Sequence, residues 1–234
     1  MIMGNKWHFD SSEDFKNWLL SFATEEHIHN DNPVFLDGME AEKLYIIKSG
    51  KVKVNKITPD GKELTLQIAT PGDIIGELAL FSGNITYSSS AWVIEDCTVG
   101  VVKQEAVETQ LVQDGKMATS FMKFMGEHFR KTQSKFRDLL LHGKKGALYS
   151  TLIRMSNSYG VPRENGDVFI NLPLTNQELG NFCGIARESV NRMLSELKKI
   201  NVISMKDGFI TIHNLQFLKE TIDCDDCPIA ICRI

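Results

Sequence analysis

Three textures of apolar and polar positions succeed one another along this chain. From Pro33 to about Val102 the runs are short and alternate with a period of two, the signature of half-buried strands. Val52 and Val54 alternate with Lys51, Lys53 and Asn55, while Leu64, Leu66 and Ile68 alternate with Glu63, Thr65 and Gln67. Between the two runs, the Pro-Asp-Gly of "TPDG" is a turn signal. "KLYIIKSG", "SSSAWVIED" and "TVGVVK" add strand candidates, and Gly50, Gly72, Gly76, Gly83 and Gly100 punctuate them at the intervals of a sandwich, roll or barrel.

From about Gln104 the period lengthens. No proline interrupts the next stretch, and Met117, Phe121, Phe124, Met125, Phe129, Phe136, Leu139 and Leu140 are spaced mostly by three or four, which predicts a short helix followed by a long amphipathic one. A helix well beyond about twenty residues between two domains usually buries its stripe against a second copy, so a homodimer is the economical expectation. The plainer alternative is a helix that packs on its own β domain.

The third texture is mixed. "GALYSTLIRMSNSYG" reads as helix and "VFINL" as a short strand. Thr175, followed three residues later by Glu178, is a capping-box signature that starts a helix with Leu179 and Phe182 facing inward. Gly184 interrupts, and a second helix runs from about Ala186 with Val190, Met193, Leu194 and Leu197 as its buried stripe. Arg187, Glu188, Asn191, Arg192 and Ser195 share the opposite face. Two helices joined by a short glycine-containing turn make a helix-turn-helix, whose second helix enters the DNA major groove. Arginine pairs bidentately with guanine and glutamate accepts from the cytosine amino group, so this face suits a G·C-containing site. "SMKDGFITI" reads as a hairpin closed at Asp207-Gly208, a wing behind the helix pair.

Composition narrows the picture without changing it. The 234 residues suit two domains, and 42% hydrophobic residues with 9% aromatics are ordinary for globular protein. The net charge of −4 gives no global attraction for nucleic acid, so DNA binding must come from a local basic face. No basic flank with an apolar run opens the chain, and no apolar run approaches the length of a membrane span; the expectation is a cytoplasmic protein with no membrane partner. In a reducing compartment five cysteines are unsuited to a disulfide framework. No convincing nucleophile–base pair or glycine-rich phosphate loop points to an enzyme.

"LTNQELGNFCGIARESVNRMLSELKKINVI" resembles the helix-turn-helix of the Crp/Fnr family of bacterial transcription regulators. "PGDIIGELALFSGN" with "SSSAWV" resembles that family's sensory β-roll, and the long helix its dimerisation helix. The resemblance implies an α+β fold: a β-roll like the cyclic-nucleotide-binding jelly roll over 1–104, a dimerisation helix region over 105–142, a winged helix-turn-helix over 143–216 and a cysteine tail over 217–234. It further implies a homodimer on an inverted repeat of double-stranded DNA, with RNA polymerase as partner. Arg187, Glu188 and Arg192 would be the base readers, assisted by Asn191 and Ser189. Their arrangement is similar to the cyclic-AMP receptor branch, which implies a TGTGA-like half-site. Ala186 departs from the pattern, since relatives often place a capping Ser or Thr there.

Members that bind cyclic AMP carry an Arg-Ser pair shortly before "AW" for the nucleotide phosphate. Here Ser89 precedes Ser90, and no Arg or Lys occurs between Lys62 and Lys103, so no cyclic nucleotide is expected. The tail "CDDCPIAICRI" is then the candidate sensor. Cys224, Cys227 and Cys232 can converge on one metal, and spacing alone leaves zinc and an iron-sulfur cluster equally open. Cys97 and Cys183 read as small buried apolar residues. A C-terminal Cys-x2-Cys-x4-Cys resembles the Fnr regulators of Bacillus, which implies a 4Fe-4S cluster completed by a carboxylate at the end of the dimerisation helix. The matching residue is Asp138; spacing alone does not separate it from His142, Asp225 or Asp226.

Overall fold

The computed structural model describes residues 12–81 and 86–234; Gly83, one of the expected punctuation points, lies outside them. The described residues fall into two compact units, 12–54 with 68–81 and 86–127, and Asn55–Gln67 with His128–Ile234.

In the first unit, α1 (Ser12–Leu20) and β1 (Thr24–Ile28) precede the region where alternation becomes readable. The strands β2 (Pro33–Phe35), β3 (Lys43–Ile57), β4 (Glu63–Ala69), β5 (Ile74–Ile75) and β6 (Ser90–Lys103) follow. Sheet order is β1-β6-β3-β4, with β2 on β6 and β5 on β3. β1 pairs antiparallel with β6 from Thr24↔Val101 to Ile28↔Cys97. β3 and β6 are each one long strand where the sequence suggested two. Gly50 (φ +82) marks a close crossing inside β3, because a Cβ there would lie 2.3 Å from the Asp96 carbonyl oxygen, and Gly100 sits within β6. In β4 the polar Thr65 is buried at 5% exposure while Leu64 and Leu66 are 42% and 40% exposed, so the inward face is the one the polar residue occupies.

A short α2 (Gln104–Gln113) leads to α3 (Gly115–Tyr159), which is interrupted at Gly143 (φ 56°, ψ −148°). Phe124 is buried with Phe15, Leu19, Leu44 and Ile74, and Met117, Phe121 and Met125 pack on the same cluster. The first part of α3 therefore covers its own roll, the plainer of the two expectations. Met122, Phe129, Phe136 and Leu140 are 63%, 69%, 60% and 64% exposed and recur at intervals of seven, seven and four, which leaves an uncovered apolar stripe.

The second unit holds β7 (Gly160–Pro162), β8 (Val168–Ile170), α4 (Asn176–Cys183), α5 (Arg187–Lys199), β9 (Ile203–Lys206), β10 (Phe209–Ile212) and α6 (Leu215–Thr221). Its sheet runs β7-β8-β10-β9. The β9–β10 hairpin turns on Asp207 and Gly208, both at positive φ (51° and 81°), as the sequence predicts for a wing. α6 crosses the expected boundary at 216/217, so part of the tail is helical. The β3–β4 tip belongs to this unit: Glu63 accepts from Asn55 at 2.6 Å and from Asn181 of α4 at 2.8 Å, and Lys135 Nζ donates to the Leu66 carbonyl at 3.0 Å.

Candidate DNA-reading helix and cysteine centre

The reading element is assembled by local chemistry. Thr175 Oγ1 accepts from the Glu178 amide at 3.2 Å and Glu178 Oε2 accepts from the Thr175 amide at 2.7 Å, a complete capping box. α4 ends at Gly184 in the left-handed region (φ 63°, ψ 31°). Gly180 is equally necessary, since a Cβ there would lie 2.6 Å from the Ile185 carbonyl oxygen. α5 then buries Val190, Met193, Leu194 and Leu197 and exposes Arg187, Glu188, Asn191 and Arg192. Ser189 and Ser195 are half-buried, and the Ser195 hydroxyl donates to the Asn191 carbonyl at 2.8 Å. Asn191 Oδ1 accepts from Asn176 at 3.2 Å. Ala186 stands at the N-cap with no side-chain bond, so α5 lacks the side-chain cap that Thr175 gives α4.

The cysteine tail lies against the two segments of α3. Asp138 is only 3% exposed, and its oxygens are saturated: Oδ1 accepts from Arg137 Nε and Nη2 at 3.0 and 2.7 Å, Oδ2 from Ser150 Oγ and Arg154 Nη2 at 2.5 and 3.0 Å. Burial pushes its pKa up, but these donors outweigh that and hold the carboxyl below its ordinary value. Arg137 also pairs with Asp225, and Arg154 Nη1 donates to the Ile231 carbonyl at 3.2 Å. Asn157 donates to the Cys232 carbonyl at 2.8 Å, and the Ser158 hydroxyl accepts from the Ile234 amide at 3.1 Å. Two guanidiniums thus join Asp138 to the tail. Cys224 and Cys227 are half-buried and Cys232 is 8% exposed. Burial raises the Cys232 pKa, Arg154 lowers it, and Cys224 and Cys227 raise it again, so the three thiols lie within electrostatic reach of one another.

The alternatives to Asp138 sit differently. Asp226 pairs with Lys219 at 2.6 Å on the surface, the Asp225 side chain is 61% exposed, and His142 is half-buried. Among the described residues no three His, Cys, Asp or Glu side chains stand in a metal-binding array. Sequence reading missed Arg154, Ser150, Ser134, Asn157 and Ser158, all buried or half-buried around the tail. It also missed Gly146, where a Cβ would lie 2.5 Å from the Asp138 carbonyl oxygen, so the chain folds back on itself there. Cys97 and Cys183 are buried at 3% and 5% exposure, and burial pushes their thiols up to about 11 and about 12.

Inside the roll, aromatic rings occupy the interior. The Phe35 and Tyr87 rings stack with centroids 4.0 Å apart, Tyr45 lies 5.8 Å from Phe35, and all three are at most 7% exposed. Tyr87 donates its hydroxyl to the Lys43 carbonyl at 2.7 Å. Ser89 is 8% exposed, and the Ser90 hydroxyl accepts from the Asp37 amide at 3.0 Å.

A β-roll followed by a long helix and a winged helix-turn-helix defines a class of protein, the two-domain transcription regulator with a DNA-binding C-terminal half. Residues 25–114 match the cyclic nucleotide-binding domain and residues 146–221 the Crp-like helix-turn-helix domain. The chain is 50% identical over 224 residues to the anaerobic regulatory protein of Bacillus subtilis (strain 168), covering 95% of this chain and 94% of that one. It is 29% identical over 185 residues to the CRP-like cAMP-activated global transcriptional regulator of Mycobacterium tuberculosis, covering 79% of this chain and 82% of that one. Among solved structures, FixK2 from Bradyrhizobium japonicum superposes with a TM-score of 0.70 at 23% identity over 85% of this chain and 96% of that one. The global regulator CLP of Xanthomonas campestris superposes with a TM-score of 0.73 at 20% identity over 86% and 98%. The chain belongs to the Crp/Fnr family of transcription regulators.

Proposed function

We propose that this chain is an oxygen-responsive regulator, active without oxygen, that binds a TGTGA-type inverted repeat as a homodimer and senses through a 4Fe-4S cluster held by Cys224, Cys227, Cys232 and Asp138. One observation carries the reading: a buried carboxylate from the long helix is joined by Arg137 and Arg154 to the cysteine tail. The resemblance to an anaerobic regulatory protein, at 50% identity through nearly the whole chain, supports the same signal.

The donor set fits the group in kind, since three thiols with an oxygen donor suit iron-sulfur chemistry. Asp138 becomes available as a ligand when one of its four donors lets go. When bound, such a cluster supplies an oxygen-labile crosslink between the tail and the long helix. The chain's own residues do the rest: Asn157 and Ser158 anchor the last residues on α3, and Arg137 holds Asp225 beside Asp138. The uncovered stripe of Met122, Phe129, Phe136 and Leu140 supports a second copy as its cover. Stacked aromatic rings inside the roll, with no cation between Lys62 and Lys103, support a domain that binds no cyclic nucleotide. RNA polymerase and a cytoplasmic setting belong to the same proposal.

Iron and acid-labile sulfide measured on protein purified without oxygen, with operator binding followed on the same sample before and after air, test it. About four of each per chain, with binding lost as they disappear, is the expected result. Zinc in place of iron, or binding indifferent to air and to Cys227→Ala, would overturn it.

A further inference from the structure

Arg154 has no part in DNA reading and is not a metal ligand, yet it is 3% exposed in the middle of a domain. A buried guanidinium is costly unless its donors are matched. Here they are matched by partners from three separate segments: Ser150 accepts from Nε at 3.1 Å within α3, Asp138 and Ser134 accept from Nη2 at 3.0 Å from before the Gly143 break, and the Ile231 carbonyl accepts from Nη1 in the tail. The planar fork is what allows one side chain to hold three directions at once; a lysine ammonium has no such geometry. The Ile231 carbonyl belongs to the residue before Cys232, and that turn closes on itself through the Ile231 and Cys232 amides, both donating to Pro228. Holding this carbonyl therefore sets where the Cys232 thiol stands relative to Asp138.

We propose that Arg154 is the positioning residue of the cysteine centre, fixing the Ile231–Cys232 turn beside Asp138 and supplying the buried positive charge that an anionic set of thiolates and carboxylate requires. The inference rests on the reading of the tail as an iron-sulfur centre, and its mechanical half stands on the hydrogen bonds Arg154 makes to Ser150, Asp138, Ser134 and the Ile231 carbonyl. Partners of a metal ligand that hold its orientation commonly change metal affinity by about 10- to 100-fold when removed, which sets the size of effect to look for.

Two variants of the full chain test it. Arg154→Lys keeps the charge and loses the fork. Arg154→Gln combined with Asp138→Asn removes both buried charges together, so no unpaired ion remains to unfold the domain. In metal-free protein, hydrogen exchange of the amides over 229–234 is followed by mass spectrometry, with the buried stripe of α5 as the folding control. Exchange in the tail is expected to speed up by about fivefold or more in both variants, the loss of one or two hydrogen bonds, while α5 stays protected. Unchanged tail exchange in the double variant overturns the proposal, whatever the single variant does. On anaerobic loading with iron and sulfide, Arg154→Lys is expected to hold less of each than the parent chain, and equal loading also overturns it. A parent chain that takes up no iron refutes the iron-sulfur reading instead, and the exchange measurement still decides whether Arg154 positions the tail.

Discussion

At the scale of single residues, the sequence was most readable where partners are near neighbours. The Thr175–Glu178 box could be read because both bonds close within one turn, and Thr175→Ala is expected to cost about 1 kcal/mol, measured by denaturant unfolding. Arg154 was not readable, because nothing local marks an arginine for burial; its partners arrive from Ser134, Asp138 and Ile231. Base reading makes its own prediction. Arg187→Ala or Arg192→Ala should each lose about 1–3 kcal/mol of operator binding and relax discrimination at one base pair, seen by titrating operators substituted at single positions. Thiol chemistry separates the cysteines: with a pKa near 11 and near 12 and little exposure, Cys97 and Cys183 should resist alkylation at pH 8 in metal-free protein while Cys224 and Cys227 react, as peptide mapping would report. Rapid labelling of Cys183 in the native chain would contradict the packing of α4.

At the scale of elements, periodicity told helix from strand but not which face is covered by what. Thr65 rather than Leu64 or Leu66 turns inward on β4, a choice made by the neighbours and invisible to a pattern of two. The stripe on α3 is likewise two stripes. Phe121, Phe124 and Met125 are absorbed by the roll, whereas Met122, Phe129 and Phe136, one or more heptads apart, remain open. If the proposed homodimer closes over this stripe, Phe129→Glu with Phe136→Glu should leave a monomer in sedimentation velocity at micromolar concentration and lower affinity for the proposed inverted repeat, with helical content unchanged. A variant that still sediments as a dimer would place the interface elsewhere. Gly146→Ala is expected to destabilise the domain by about 1–3 kcal/mol, lowering its thermal midpoint, because the new methyl would meet the Asp138 carbonyl.

At the scale of the whole molecule, the order roll, long helix, winged helix and tail was legible, since each segment has its own texture. α1 and β1 were not: β1 is a strand of mostly exposed residues, Thr24 to His27, whose place is fixed by pairing with β6 and by no alternation of its own. The net charge of −4 makes the DNA-binding surface a local property, so affinity should fall steeply with salt; six or more phosphate contacts imply about a thousandfold loss between about 50 and 200 mM, and a flat dependence would exclude groove binding. The interruption of α3 has a different kind of consequence. Beyond the backbone of its own helix, no atom lies within 4 Å of where a Gly143 side chain would begin, so the bend is written in two torsion angles and leans on no side-chain packing there. With those two angles relaxed to helical values, the 45 residues of α3 would form one rod of about 67 Å at a rise of about 1.5 Å per residue. The length of α3 as a single piece is thereby set by its smallest residue, and any other amino acid at that position would vote for the straight form.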